Sequence, residues 1–221
     1  AFNMVKVLEK ACCEVRYNVN QTCCGQPAFN AGFREEARDV AAKFIQDFSQ
    51  PDYVVMPSAS CAGFVRNYYP GLFENAAAHN QVKELTSRVY EFTEFLTDVL
   101  KIENFGAELR GKATYHDSCA ALRECSIKEG PRRLLKYVRG LELVEMADNE
   151  TCCGFGGTFS VRLPEISGAM VADKVDALLA SGAETVVSAD CGCLMNILGH
   201  AAWRDAQAGR HGEAHAVERE R

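Results

Sequence analysis

Apolar positions along the chain switch between helical and strand periods, and the order of the switches occurs twice. In the N-terminal half, Phe2 to Lys10 reads as a helix and Cys13 to Asn18 as a strand. Ala37, Val40, Ala41, Phe44, Ile45 and Phe48 then recur at steps of three and four, the stripe of an amphipathic helix. Pro51 breaks it, and Tyr53 to Met56 reads as a short buried strand stopped by Pro57. In the C-terminal half, Lys112 to His116 and Leu141 to Met146 read as strands. A helix opens near Pro164, with Ile166, Met170, Val175, Leu178 and Leu179 on one side. Gly182 closes that helix, and Thr185 to Ser188 is the next strand. Between the halves, Val82, Leu85, Val89, Phe92, Leu96 and Val99 predict one long bridging helix. Beyond Trp203 the chain turns polar, so residues 206–221 are expected to fray.

Strands alternating with helices pair in parallel, which gives an α/β class. A local motif strengthens the repeat. Thr22-Cys23-Cys24-Gly25 returns as Thr151-Cys152-Cys153-Gly154, an offset of 129. Val54-Val55 with Cys61 six positions on returns as Val186-Val187 with Cys193, an offset of 132. Two ordered landmarks at nearly one offset indicate duplication. The expected organisation is two tandem Rossmann-like repeats with parallel sheets, at residues 1–105 and 106–205. Moved back by 129, Cys119 falls ahead of residue 1, so the first repeat is expected to lack its opening strand and that strand's cysteine.

Composition narrows the chemistry. The 221 residues carry 24 Lys plus Arg against 30 Asp plus Glu, with no basic stripe suited to nucleic acid. No apolar run reaches the roughly 20 residues of a membrane span, and a cytoplasmic setting is expected. The abnormal number is 11 cysteines. Thiols at that density in a chain that needs no disulfides point to metal or redox chemistry.

The cysteines follow the predicted strands. Cys119 lies just past the Lys112 strand, Cys152 and Cys153 past the Leu141 strand, and Cys191 and Cys193 past the Thr185 strand. In an open parallel sheet these carboxyl ends share one edge, where ligands bind. Thiolates select zinc or iron–sulfur clusters. Paired C-x2-C zinc knuckles are absent, and five thiols exceed the four that one zinc takes, so an iron–sulfur cluster is favoured in the second copy. The N–H groups of Gly154, Gly156 and Gly157 are placed to hydrogen-bond cluster sulfides. That glycine run is a poor dinucleotide fingerprint, lacking the third glycine at its fixed spacing. Cys12, Cys13 and Cys125 have no repeat mates and read as buried structural residues, while Met146, Met170 and Phe155 read as core. His116 reads either as a charge or proton carrier beside a cluster or as a hydrogen-bonded strand-end histidine.

The segments QTCCGQPA (21–28), YHDSC (115–119), TCCGFGGTFS (151–160) and SADCGCLMNI (188–197) resemble the cysteine-rich CCG family. The similarity runs from near residue 1 to about residue 200. The family includes the cysteine-rich subunit of heterodisulfide reductase and the iron–sulfur subunit of glycolate oxidase; the nearer branch belongs to a three-protein L-lactate oxidation system. The resemblance implies a four-iron cluster, non-cubane in heterodisulfide reductase, held here by Cys119, Cys152, Cys153, Cys191 and Cys193. It leaves Cys23, Cys24 and Cys61 in the first copy, as a depleted or zinc site. It also implies an electron-transfer subunit working with a ferredoxin-like iron–sulfur subunit and a third subunit, without nucleic acid or membrane span. Two further departures from the family pattern stand out. Ala120 replaces the usual histidine, and Cys191-Gly192-Cys193 is C-x-C where the heterodisulfide reductase motif is C-x-x-C. Thiol–disulfide reduction at a cluster and a zinc-stabilised assembly module are the rival functions.

Overall fold

The computed structural model describes residues 2–74 and 77–207, so most of the tail expected at 206–221 lies outside the described residues. The first half runs α1 (Phe2–Lys10), α2 (Gln26–Asn30), α3 (Arg34–Asp47), β1 (Val54–Met56), α4 (Ala59–Leu72), α5 (His79–Thr86) and β2 (Val89–Glu91). A short α6 (Phe92–Glu94) then passes into a π-helical turn, Phe95–Val99. The second half runs β3 (Glu108–Tyr115), α7 (Cys119–Glu124), α8 (Glu129–Lys136), β4 (Arg139–Leu143), α9 (Thr158–Arg162), α10 (Pro164–Ala180), β5 (Thr185–Val187) and α11 (Cys191–Gln207). Both sheets are parallel. One holds β1 and β2; the other has the order β4-β3-β5, with Ala113 paired to Leu143 on one side and Thr185 on the other.

The repeat is visible in the elements. β1 corresponds to β5, and α4, opening at Ala59, corresponds at an offset of 132 to α11, opening at Cys191. Pro164 stands in the first turn of α10, where its missing N–H costs no hydrogen bond. Gly182, in the left-handed region at φ 68°, ends that helix.

Two expectations fail. The predicted long helix over 82–99 is interrupted: Val89 and Glu91 are buried on one face of β2, which pairs with β1 from Val54↔Val89 to Met56↔Glu91. Glu91 then caps the next helix, accepting from the Thr93 and Glu94 N–H groups, while Glu94 reaches back to the Glu91 N–H. The predicted strand Cys13 to Asn18 is irregular chain. Its counterpart β4 is held by β3, and among the described residues no strand lies beside 13–18 to supply a ladder.

The main core unites the copies. Phe44, Phe64, Val65, Tyr69, Val82 and Leu85 pack in one cluster with Ala121, Cys125, Ile127 and Ala189 of the second half. Backbone joins them too: the Ala59 N–H donates to the Ala189 carbonyl at 2.8 Å. A smaller core of Cys153, Val171, Val175, Cys193 and Ile197 lies beneath the second Cys-Cys-Gly turn.

Candidate metal centre

The strand-end motif is locked before it offers a sulfur. Past β3, the His116 N–H donates to the Val187 carbonyl at 2.8 Å, and the Asp117 N–H to the Asn149 carbonyl at 3.1 Å. Ser118 caps α7, its Oγ accepting from the Ala121 N–H at 3.1 Å. The fully buried Asp117 carboxylate receives both guanidinium arms of Arg132, at 2.9 and 2.6 Å. Arg132 also donates to Glu145 and lies over the Tyr115 ring, 5.0 Å from its centroid. Its hydrogen bonds to Asp117 and Glu145 push its pKa up, and Arg132 in turn holds the Glu145 carboxyl below the usual range. Cys119 emerges exposed at the first position of α7.

The two Cys-Cys-Gly turns repeat one geometry. The Gly25 N–H donates to Cys23 Sγ at 3.4 Å, and the Gly154 N–H to Cys152 Sγ at the same distance. Each turn leaves its first cysteine more open and buries its second. Gly154, at φ 82°, cannot carry a side chain, because a Cβ would stand 2.7 Å from the Ser167 carbonyl. The buried Tyr69 hydroxyl donates to the Cys24 carbonyl at 2.7 Å, and the Asn196 amide to the Cys153 carbonyl at 2.8 Å. In both copies the second cysteine pairs with a cysteine from the helix that follows the next strand, α4 in the first copy and α11 in the second. The interaction of the Cys24 and Cys61 thiols raises the pKa of Cys24 and lowers that of Cys61. The interaction of the Cys193 and Cys153 thiols raises the pKa of Cys193 and lowers that of Cys153.

In the second copy the convergence is tight. Single donor atoms of His116, Cys153 and Cys193 all lie within 4.8 Å of one another, and all three residues are buried. Burial raises the Cys119 pKa, as does the negative charge of Cys152 and Cys153. Lys174, only 2% exposed, donates to the Asp148 carbonyl; burial lowers its pKa, and Cys153, Cys152 and Cys193 draw it back up.

These donors fit a metal–sulfur group. Among the described residues, neither nitrogen of the fully buried His116 has a hydrogen-bond partner. Such an orphan costs about 1–3 kcal/mol, a cost that a soft metal centre facing the imidazole and the thiolates removes.

A family model described as "Cysteine-rich domain", CCG, matches residues 2–66 and 113–198. The chain belongs to the CCG family. Curated relatives agree with that placement. A protein of Shouchella clausii named lactate utilization protein A is 48% identical over 195 residues, covering 88% of this chain and 82% of its own. One of Bacillus mycoides, named lactate utilization protein A 1, is 49% identical over 199 residues, covering 89% and 81%. A third, lactate utilization protein A of a Geobacillus strain, is 46% identical over 196 residues, covering 88% and 82%.

Among the described residues the candidate ligand cysteines fall into two groups. Cys119, Cys152, Cys153 and Cys193 share one neighbourhood. Cys23, Cys24 and Cys61 form another. The Cys191 Sγ lies 3.9 Å from the Pro57 carbonyl of the first copy. Gly156 and Gly157 both adopt positive φ beside the second turn. Cys125 is buried as expected, its thiol donating to the Ala59 carbonyl at 3.5 Å, whereas Cys12 is exposed at φ 61° and Cys13 half-buried. Cys12 surfaces because it sits in the turn leaving α1, not in a strand. Met146 is core, and Phe155 packs on the smaller core. No local sequence motif marks the roles of Arg132, Lys174 or Asp190. Their partners are distant in the chain, 15 positions for Arg132 to Asp117, 26 for Lys174 to Asp148 and 132 for Asp190 to Ser58.

Among the described residues, no helix is long and apolar enough to cross a membrane.

Proposed function

We propose that this CCG protein is the iron–sulfur electron-transfer subunit of a cytoplasmic multisubunit oxidoreductase that oxidises L-lactate to pyruvate. The observation that carries the reading is the buried meeting of His116, Cys153 and Cys193, with Cys119 and Cys152 alongside. The names of the relatives support the lactate assignment. A cluster bound there, a four-iron one by the family resemblance, supplies a one-electron carrier. The chain's own residues do the rest. Cys119, Cys152, Cys153 and Cys193 offer thiolate sulfur; the Gly154 N–H tunes it through Cys152; Lys174 and His116 set the local charge and polarity. Cys152 also borders an open depression of about 640 Å³ lined by Arg123, Asp148, Asn149, Glu150 and Thr151, which gives a partner subunit close approach to the centre. In this reading the electron partners are a ferredoxin-like iron–sulfur subunit and a third subunit of the lactate-utilisation system.

A zinc-stabilised assembly module is the second reading, favoured by one observation: one imidazole and two thiols within 4.8 Å also suit a tetrahedral zinc ion. Anaerobic purification separates the two. Brown protein whose visible absorption bleaches with dithionite supports the electron carrier; colourless protein holding only zinc defeats it.

A further inference from the structure

α11 begins Cys191-Gly192-Cys193, with both cysteines inside the helix. At 3.6 residues per turn, positions two apart are rotated by about 200° around the axis and so face nearly opposite sides of the helix. The two sulfurs therefore cannot serve one small centre as an i, i+3 pair can. Cys193 turns to Cys153 and His116. Cys191 turns to the other copy, its Sγ meeting the Pro57 carbonyl.

The surroundings hold it there. Asp190, 5% exposed, accepts from the Ser58 hydroxyl at 3.2 Å and the Ser60 N–H at 3.0 Å, and its other oxygen accepts from the Gly192 N–H at 3.0 Å. Together with the bond from Ala59 N–H to the Ala189 carbonyl, this fastens the start of α11 against the start of α4. Cys61 lies in the first turn of α4, and its thiol feels negative charge from Cys23, Asp190 and Cys191. The repeat explains the arrangement. At an offset of 132, Ala59 is the mate of Cys191 and Pro57 the mate of Ala189. Residues 191 and 57 thus meet at the repeat-related counterpart of the 59 and 189 contact, but through the Cys191 thiol where the first copy uses the Ala59 backbone N–H.

We infer that Cys191, although encoded in the second copy, is a metal ligand of the first: it joins Cys23, Cys24 and Cys61 in a four-thiol site that spans the repeat boundary. Resting on the reading of the cysteines as metal ligands, the inference deepens it. The first turn of α11 then serves both centres, Cys191 one and Cys193 the other, which links them through a single glycine.

Cobalt(II) titration of the full-length, reduced, metal-free chain tests this, with sulfur-to-cobalt charge-transfer absorption counting thiolate ligands. The wild type is expected to show two classes of site, one lost in Cys61→Ser and the other in Cys193→Ser. Cys191→Ser and Cys191→Ala are expected to weaken only the Cys61 class, by more than the roughly 10–100-fold that loss of an outer-sphere partner costs. The retained Cys193 class reports an intact fold. Weakening of the Cys193 class alone, of both classes alike, or of neither overturns the inference, as does a wild type with one class. Failure of the electron-carrier reading is separate: it appears as absence of iron and sulfide from the anaerobically purified wild type, whatever cobalt does.

Discussion

The guanidinium of Arg132 grips the buried carboxylate of Asp117 through two hydrogen bonds of 2.9 and 2.6 Å, two residues ahead of Cys119. Removing one member strands the other. Arg132→Met leaves Asp117 buried without a cation and is expected to destabilise the protein by about 3–5 kcal/mol. Arg132→Met combined with Asp117→Leu should recover much of that loss. Urea denaturation of the three proteins in one metal state measures both effects; equal stability of the single and double variants would contradict the account.

Glu91 gives a pH dependence of defined sign. It is 1% exposed, and burial raises its pKa above 4.5, partly offset by hydrogen bonds from Thr93 and Glu94. A carboxyl whose pKa rises on folding contributes stability that is full below its unfolded value and lost as pH climbs through its folded value. Glu91→Gln keeps an oxygen for the helix cap and removes the titration. The stability of Glu91→Gln relative to wild type is therefore expected to increase as pH rises from below 4.5 towards neutrality. Parallel curves from urea melts across that range would refute it.

Two glycines at left-handed φ separate strain from crowding. Gly182 has open space around it, so Gly182→Ala carries only the left-handed penalty of about 1–2 kcal/mol. At Gly154 the added methyl also meets the Ser167 carbonyl. Gly154→Ala is expected to lose more stability than Gly182→Ala and to lower bound iron, while Gly182→Ala leaves iron unchanged. Thermal melts and iron assay decide.

Lys174 places a buried cation beside the second thiol group. Lys174→Met removes a charge that favours electron uptake. The midpoint potential is expected to fall by about 60 mV or more, the one-electron equivalent of a tenfold change. Redox titration followed by EPR measures it; an unchanged or raised potential would exclude Lys174 from the centre's field.

The sequence was most legible where one local rule acts alone. Pro164 and Gly182 bracket α10 because N1 proline and left-handed glycine are backbone properties. The paired Cys-Cys-Gly turns were legible because the same glycine constraint recurs. Over 82–99, apolar steps of three and four fit one long helix and equally a short helix, a strand and a second helix; only the β1 ladder chooses between them. Residues 13–18 have strand character without a described neighbour to pair with, and strand formation is a property of pairs. Arg132, Lys174 and Asp190 were invisible for a related reason. Each acts on residues well away in sequence, 15 positions for Arg132 to Asp117 and 132 for Asp190 to Ser58. C-x-C spacing did carry information, but its meaning depended on both cysteines lying inside a helix.

The most direct measurement is Mössbauer spectroscopy with iron and acid-labile sulfide analysis, on wild type and Cys153→Ser labelled with ⁵⁷Fe and purified without oxygen. The account predicts iron matched by sulfide in the wild type, with thiolate-coordinated cluster signals that Cys153→Ser largely removes. Iron without sulfide, or a spectrum indifferent to Cys153→Ser, would contradict it.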